Sequence, residues 1–354
     1  MPLEILSPSV QVAAHLYDEL FSGTWKDQLP GTPAIADELG VDRKTVTAAL
    51  QILEDEGLLQ SQGLGRKRKI LLPEKEIHNG QTVKILLYER ADGLSPHILE
   101  LIRRVEKRGH HIKTAKKTLR DLGMDVKRVS SFVKRNPADA WIVLAGSKEV
   151  LSWFAEQGMP AFAIFGRRQD LPIASVGPEK VTALQQAVGR LVELGHRQIT
   201  LLSREERRRP SPGHLETVFL ECLDTHGIEP SAYHLPDWQD NRESFHDCLD
   251  LLFREKPPTA ILLDQPQFFI AAQQHLANKG LVAPRDVSLL CSDTHPLFDW
   301  CQPEITHISW EVGPIVDHAA NWVTQVSKGK NPKRHKFTEA CFVEGGTIGP
   351  VPRG

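Results

Sequence analysis

Apolar residues in the first sixty positions recur at helical spacing, and three short helices account for them. Val12, Leu16 and Leu20 share one face with Asp18 and Glu19 opposite, which predicts an amphipathic helix from about Val10 to Phe21, ended by Gly23. Beyond Leu29-Pro30 a small helix runs from about Pro33 to Leu39. Proline costs little in a first turn, where its missing N–H would have no intrahelical partner. Gly40 follows that helix, at the position where a left-handed backbone suits glycine. Asp42 N-caps a third helix, which turns Val46, Leu50 and Leu53 inward and stops at Gly57. Leu58-Leu59-Gln60 and the run Arg66–Ile70 then flank Gln62-Gly63-Leu64-Gly65, reading as two short strands joined by a glycine turn.

The pattern changes after residue 70. Residues 71–82 (LLPEKEIHNGQT) are polar, hold Pro and Gly, and lack periodicity, so they read as a linker. From 83 onward continuous apolar runs alternate with helical stretches. The runs are Val83–Tyr88, Ala140–Leu144, Ala161–Phe165, Ile199–Leu202, Ala260–Leu263 and Val287–Leu290; Ser95–Lys107 and Glu179–Leu194 are two of the helices between them. Strands that are apolar on both faces, separated by helices, imply parallel sheets covered on both sides. The expected organisation is 1–70, a linker at 71–82, and an α/β body at 83–354. Ligands of such sheets sit at the carboxyl ends of the strands.

Two helices joined by a short glycine turn, followed by a two-stranded hairpin, form a winged helix-turn-helix. The start of the second helix in such a pair reaches base edges in the major groove. Here that start carries Arg43, Lys44 and Thr45, with Thr47 close behind. A guanidinium matches guanine bidentately, and Thr bonds bases or phosphates. Thr32, at the head of the preceding helix, and Gln62, Gly63, Arg66 and Lys67 on the wing complete the candidate DNA-binding set. The basic run Arg66–Lys69 suits phosphate contact, although alone it would read as a solvated stretch before a linker. Residues 1–80 hold eight Lys/Arg and twelve Asp/Glu, so any docking face depends on segregation. The acids concentrate on the first two helices and at Glu54-Asp55-Glu56, and the bases at the third helix and the wing.

The whole chain has a net charge of −2, 40% hydrophobic and 25% charged residues, an ordinary globular balance. No apolar run approaches a membrane span, and the first residues carry Glu4 where a secretory leader would be basic, so a cytoplasmic chain is expected. Cys222, Cys248, Cys291, Cys301 and Cys341 form no CxxC pair and the 15 histidines show no ligand spacing, so buried free thiols, no metal and no cofactor are expected. An α/β enzyme with a regulatory DNA-binding head is the alternative function. No GxSxG, P-loop, GxGxxG or HExxH supplies its chemistry. A transport binding protein is a third reading, opposed by the wing.

The stretches LPGTPAIADELGVDRKTVTAALQILEDEGLL and SQGLGRK resemble the GntR family of winged-helix regulators over about residues 10–70. Pro33 and Thr47 stand where that family often places arginines, which implies fewer charged DNA contacts. Over about 83–347 the ordered pieces ADAWIVL, MPAFAIFG, IASV, LVELGHRQITLL, PPTAILL, VAPRDVSLLCSD, QPEITHI and FVEGGTIGP resemble the LacI/GalR-type effector domain, which is periplasmic-binding-protein-like and two-lobed. The combination resembles arabinose-responsive repressors. It implies a homodimer on a palindromic operator, and a small-molecule effector, a sugar or sugar derivative, between the lobes. It also implies lobe crossings near Gly177, Trp310 and Ser327.

Candidate effector contacts follow from strand ends and that resemblance. Asp293 follows the VSLLCS strand and suits sugar hydroxyls, or else caps a loop. Tyr88 and Ser95 follow the first strand; Tyr88 would stack on a sugar or belong to the core. Trp310 is a second ring of that kind, or a packed hinge residue. Asp264 follows AILL, but Gln265-Pro266 replaces the family's polar pair, Gly177-Pro178 replaces another, and the arginine of the "R..GF" turn is absent from GHLETVFLECL. Arg204 opens Ser203-Arg204-Glu205-Glu206-Arg207-Arg208-Arg209-Pro210, a turn suited to an acidic or phosphorylated effector, or to ion pairs within itself. His196 is expected to be a structural turn residue.

Overall fold

The structure, a computed structural model, describes residues 7–22, 25, 28–55, 57–63, 66–71 and 80–351. The expectations for Gly23, Glu56, Leu64, Gly65 and most of the linker (72–79) lie outside the described residues. Contacts divide the chain into two units, 1–78 and 79–354.

In the first unit three helices, α1 (Pro8–Ser22), α2 (Thr32–Leu39) and α3 (Arg43–Asp55), close on one apolar core. Leu16, Leu20, Leu29, Ile35, Val46, Leu50 and Leu53 are all essentially inaccessible to solvent. Each such side chain stabilises by about 1.5–3 kcal/mol over an exposed one, which lets so small a unit hold three helices. Gly40 has φ +65° and its N–H returns to Ala36 O, the left-handed close the sequence predicts. Asp42 caps α3 by accepting from the Lys44 and Thr45 N–H groups at 2.7 and 3.0 Å. Strands β1 (Leu59–Gln60) and β2 (Lys69–Ile70) pair antiparallel, and Gln28 adds a bridge to Lys69.

The second unit runs β3 (Thr82–Leu86), α4 (Pro96–Lys107), β4 (His111–Thr114), α5 (Val126–Arg135), β5 (Ala140–Leu144), α6 (Lys148–Glu156), β6 (Ala161–Ile164) and β7 (Ala174–Pro178). It continues with α7 (Val181–Glu193), β8 (Ile199–Leu202), α8 (Glu205–Arg208), α9 (His214–Thr225), α10 (Arg242–Glu255), β9 (Ala260–Leu263), α11 (Pro266–Asn278) and β10 (Ser288–Cys291). It ends with β11 (His307–Trp310), α12 (Val312–Ser327), β12 (His335–Thr338) and β13 (Ala340–Val343).

Two sheets result, one per lobe, ordered β12-β7-β6-β5-β3-β4 and β13-β11-β10-β9-β8. Every pairing within them is parallel except β11 with β13. Every residue of β5, β6, β8, β9 and β10 is buried, as continuous apolar runs covered on both faces require. The chain crosses between lobes after β7, after β11 and between β12 and β13. The third crossing therefore falls at Glu339 rather than near Ser327, because His335–Thr338 pairs with Ser175–Pro178 and adds an edge strand to the first lobe. His196, buried, bonds Thr259 Oγ1 and Gly349 O, both at 2.9 Å, and so fixes a turn. All five cysteines are free; Cys341 is exposed and Cys301 half-buried, a correction to the expectation that all are buried, since Cys341 lies on the edge strand β13. Among the described residues no helix is long and apolar enough to cross a membrane.

Candidate DNA interface and inter-lobe site

The start of α3 presents Arg43, Lys44 and Thr47 to solvent, with Thr45 half-exposed. Both threonine hydroxyls already donate: Thr45 to Asp42 Oδ2 and Thr47 to Arg43 O, each at 2.7 Å. These two residues keep a methyl group and an acceptor for a base, while Arg43 and Lys44 hold the free donors. The Thr45 hydrogen bonds also lower the pKa of the Asp42 carboxyl, keeping the cap ionised. Thr32 is the first residue of α2 and is half-exposed; Gln62, Gly63, Arg66 and Lys67 are exposed, with Gly63 at φ +100°. Arg68 departs from the expected basic run. Its Nε donates to Glu54 Oε1 at 2.5 Å with both side chains mostly covered, so it ties the wing to α3 instead of meeting phosphate.

In the body the predicted effector residues fall into two joined clusters. Asp293 Oδ1 accepts from Trp310 Nε1 at 2.6 Å and Thr294 N at 2.9 Å, with Lys180 Nζ at 3.1 Å. Burial works to raise the Asp293 pKa, but Lys180 and these hydrogen bonds prevail and hold it below the usual carboxylate range. His97 lies edge-on to Phe165 and Trp310, at 5.3 and 6.1 Å, and burial pushes its pKa down to about 4. Ser95 sits beside it: its hydroxyl is 3.4 Å from His97 Nε2 and donates to Asp92 O at 2.5 Å.

The second cluster gathers Tyr88, Arg204 and Asp264. Tyr88 is buried and offers no open ring face; its hydroxyl donates to the Glu206 carboxylate and lies 3.2 Å from Asp240 Oδ2. The Arg204 guanidinium covers the Tyr88 ring at 4.7 Å and Phe268 at 5.6 Å. Its nearest carboxylate oxygen is Glu89 Oε1, 3.7 Å away, and among the described residues its Nε has no partner. Asp264 is wholly buried. Its Oδ2 accepts from Arg204 N at 3.0 Å and stands 3.5 Å from Arg207 Nε, its Oδ1 has no partner among the described residues, and burial raises its pKa. Within the Arg-rich turn, Arg204 is buried against Tyr88 and Glu89 of the first lobe, Arg208 is buried on Ser203 O, Asp237 and Trp238 O of its own lobe, and Arg209 is exposed. Between the clusters a cavity of about 10 Å³, lined by Lys180, Arg207, Glu216 and Ser292 among others, has room for about one water.

Sequence reasoning missed Lys180, His97, Arg120, Arg167 and Asp240. The one signal for them was position, since Arg167 follows the end of β6 and Lys180 the end of β7.

This fold is a winged helix-turn-helix of GntR type, followed by a two-lobed body of the LacI and periplasmic-binding-protein type. Residues 8–65 match the family of bacterial regulatory proteins, gntR family, and residues 188–348 match a periplasmic binding protein-like domain. Both are families of regulators or binding domains, not of enzymes. The HTH-type transcriptional regulator MalR of Streptomyces coelicolor is 26% identical over 214 residues, which is 56% of this chain and 59% of that protein. The chain therefore spans less than two thirds of that relative. A Lac repressor dimer bound to operator and the anti-inducer ONPF has TM-score 0.62 at 18% identity, over 76% of this chain and 94% of that one. A LacI family transcriptional regulator from Enterococcus faecium with bound ribose has TM-score 0.60 at 16% identity, over 76% and 99%.

Proposed function

We propose that this chain is a transcription repressor that binds a palindromic operator as a homodimer and is controlled by a small-molecule effector, a sugar or sugar derivative, held between its lobes. Thr32, Arg43, Lys44, Thr45, Thr47, Gln62, Gly63, Arg66 and Lys67 face DNA. Tyr88, Ser95, Arg204, Asp264, Asp293 and Trp310 surround the effector. The observation that carries the reading is the exposed start of α3: two cations without ion pairs among the described residues, on a helix whose Asp42 cap fixes its first turn. The similarity of the body to a regulator solved with ribose supports the effector class, and the pairing of head and body resembles arabinose-responsive repressors. The domain limits 1–70, 71–82 and 83–354 belong to the same proposal. Selection of bound sequences from random DNA, followed by footprinting, tests it: the expected product is a two-fold symmetric site. One asymmetric half-site bound by a monomer, or no sequence preference, would sink it.

A further inference from the structure

The turn after β8 reaches out of its own lobe. Arg167, in the first lobe just past β6, directs its Nη2 at the carbonyl oxygens of Glu206, Arg207, Arg209 and Ser211, at 2.9, 3.0, 3.1 and 2.7 Å. Its Nε adds a 3.2 Å bond to Glu206 O. Tyr88 of the first lobe meets the Glu206 side chain, and Arg120 of the first lobe donates to Asp240 O at 2.6 Å. Four carbonyl oxygens thus share the three hydrogens of Arg167 Nε and Nη2, and the positive charge of the guanidinium holds their dipoles together. In a two-lobed binding domain a bound molecule ordinarily supplies the bonds that join the lobes. Here the chain supplies them.

We infer that the turn Glu206–Ser211 is a built-in occupant of the cleft, a latch that draws the lobes together through the chain's own bonds. The inference rests on reading the body as a ligand-gated pair of lobes, and it sets a chemical condition on the effector. An entering molecule must replace the turn by offering oxygen acceptors to Arg167 and to the Tyr88 hydroxyl. It must also work against the latch: a 99:1 preference for the latched state would weaken its apparent affinity roughly 100-fold.

Distances between spin labels test this on the full chain without DNA or effector. One label replaces exposed Lys116 in the first lobe and the other exposed Glu243 in the second, in a Cys301→Ser, Cys341→Ser background. The wild-type turn should give one narrow distance population. Arg167→Gln and Tyr88→Phe should each give a longer and broader one, with Arg167→Gln the larger change. Tyr88→Phe removes a single hydroxyl and carries the test if Arg167→Gln does not fold. A distribution that is broad in the parent, or unchanged in whichever variant folds, overturns the latch. Failure of the parent chain to bind operator would defeat the proposed function and leave this distance result untouched.

Discussion

Trp310 donates its indole N–H to Oδ1 of Asp293 across 2.6 Å, and Lys180 Nζ lies 3.1 Å from the same oxygen. Lys180 stands at the first crossing between the lobes and Trp310 at the second. One carboxylate thus ties two of the three hinge strands. Lys180 also donates to Ser292 O at 3.0 Å, so the tie is anchored to the main chain. Asp293 is accordingly a hinge residue as well as a candidate effector contact, and only Oδ2 is left for a ligand hydroxyl.

Asp293→Ala should therefore destabilise the body by about 3 kcal/mol, the usual loss when one partner of a covered ion pair is removed. Asp293→Asn keeps an acceptor for Trp310 and should lose distinctly less. Urea melts followed by tryptophan fluorescence measure both. Equal stability of all three proteins would show that the tie does not hold the hinge. Once an effector is identified, undiminished affinity in Asp293→Ala would remove the residue from the binding site while leaving its hinge role intact.

His97 gives a pH dependence whose sign follows from its environment. Burial lowers its pKa from an ordinary 6.5 to about 4 in the folded state. Between those values the unfolded chain binds a proton that the folded chain refuses. The stability His97 contributes is then complete above pH 6.5 and disappears as pH falls toward 4, with an upper limit on the order of 3 kcal/mol. Thermal midpoints from pH 7.5 to 4.5 should fall less in His97→Gln than in the parent. A histidine titration by NMR with a midpoint near 6.5 would contradict this.

Arg43→Ala should weaken operator binding by roughly 1–3 kcal/mol and relax the preference at one base position per half-site. Neutralising Arg66 and Lys67 should lower affinity for all DNA and flatten its salt dependence. Arg68→Ala should do neither directly: with its side chain on Glu54, its loss should lower the melting temperature of the head and leave the salt slope unchanged. Fluorescence anisotropy on operator and random DNA at several salt concentrations separates the three. If Arg68→Ala flattened the slope as much as the wing pair does, the Arg68–Glu54 assignment would be wrong.

The parts legible in the sequence were those set by local pattern. Ala140–Leu144, Ile199–Leu202 and Ala260–Leu263 appear as strands residue for residue, because central strands of a doubly covered sheet must be apolar throughout. His111–Thr114 and His335–Thr338 are edge strands of the first sheet, with a single buried residue each, and nothing in HIKT or HKFT announces a strand. What α3 exposes was legible for the same local reason, since a cap and a glycine turn fix its first turn. Arg167, Lys180 and Asp240 were not, because their partners lie on the other lobe or across a crossing. Arg68 was misread because its partner Glu54, 14 positions earlier, is met only when the wing folds onto α3.

The regulatory step yields the last prediction. A ligand moves a two-state equilibrium only through its different affinities for the two states, so an effector that controls the head must bind the operator-bound and free proteins unequally. Linkage makes the relation reciprocal: whatever factor the effector applies to operator affinity, operator applies to effector affinity. Couplings of roughly 1–3 kcal/mol, or 5–150-fold, are ordinary for such devices. A thermal-shift screen of sugars, sugar acids and sugar phosphates finds the ligand, since binding to the folded state alone stabilises by RT ln(1 + [L]/Kd). Calorimetric titration of that ligand, with and without saturating operator, should then give two affinities whose ratio equals the ratio of operator affinities measured with and without ligand. Identical affinities in both titrations would mean that the body binds its ligand without controlling the head.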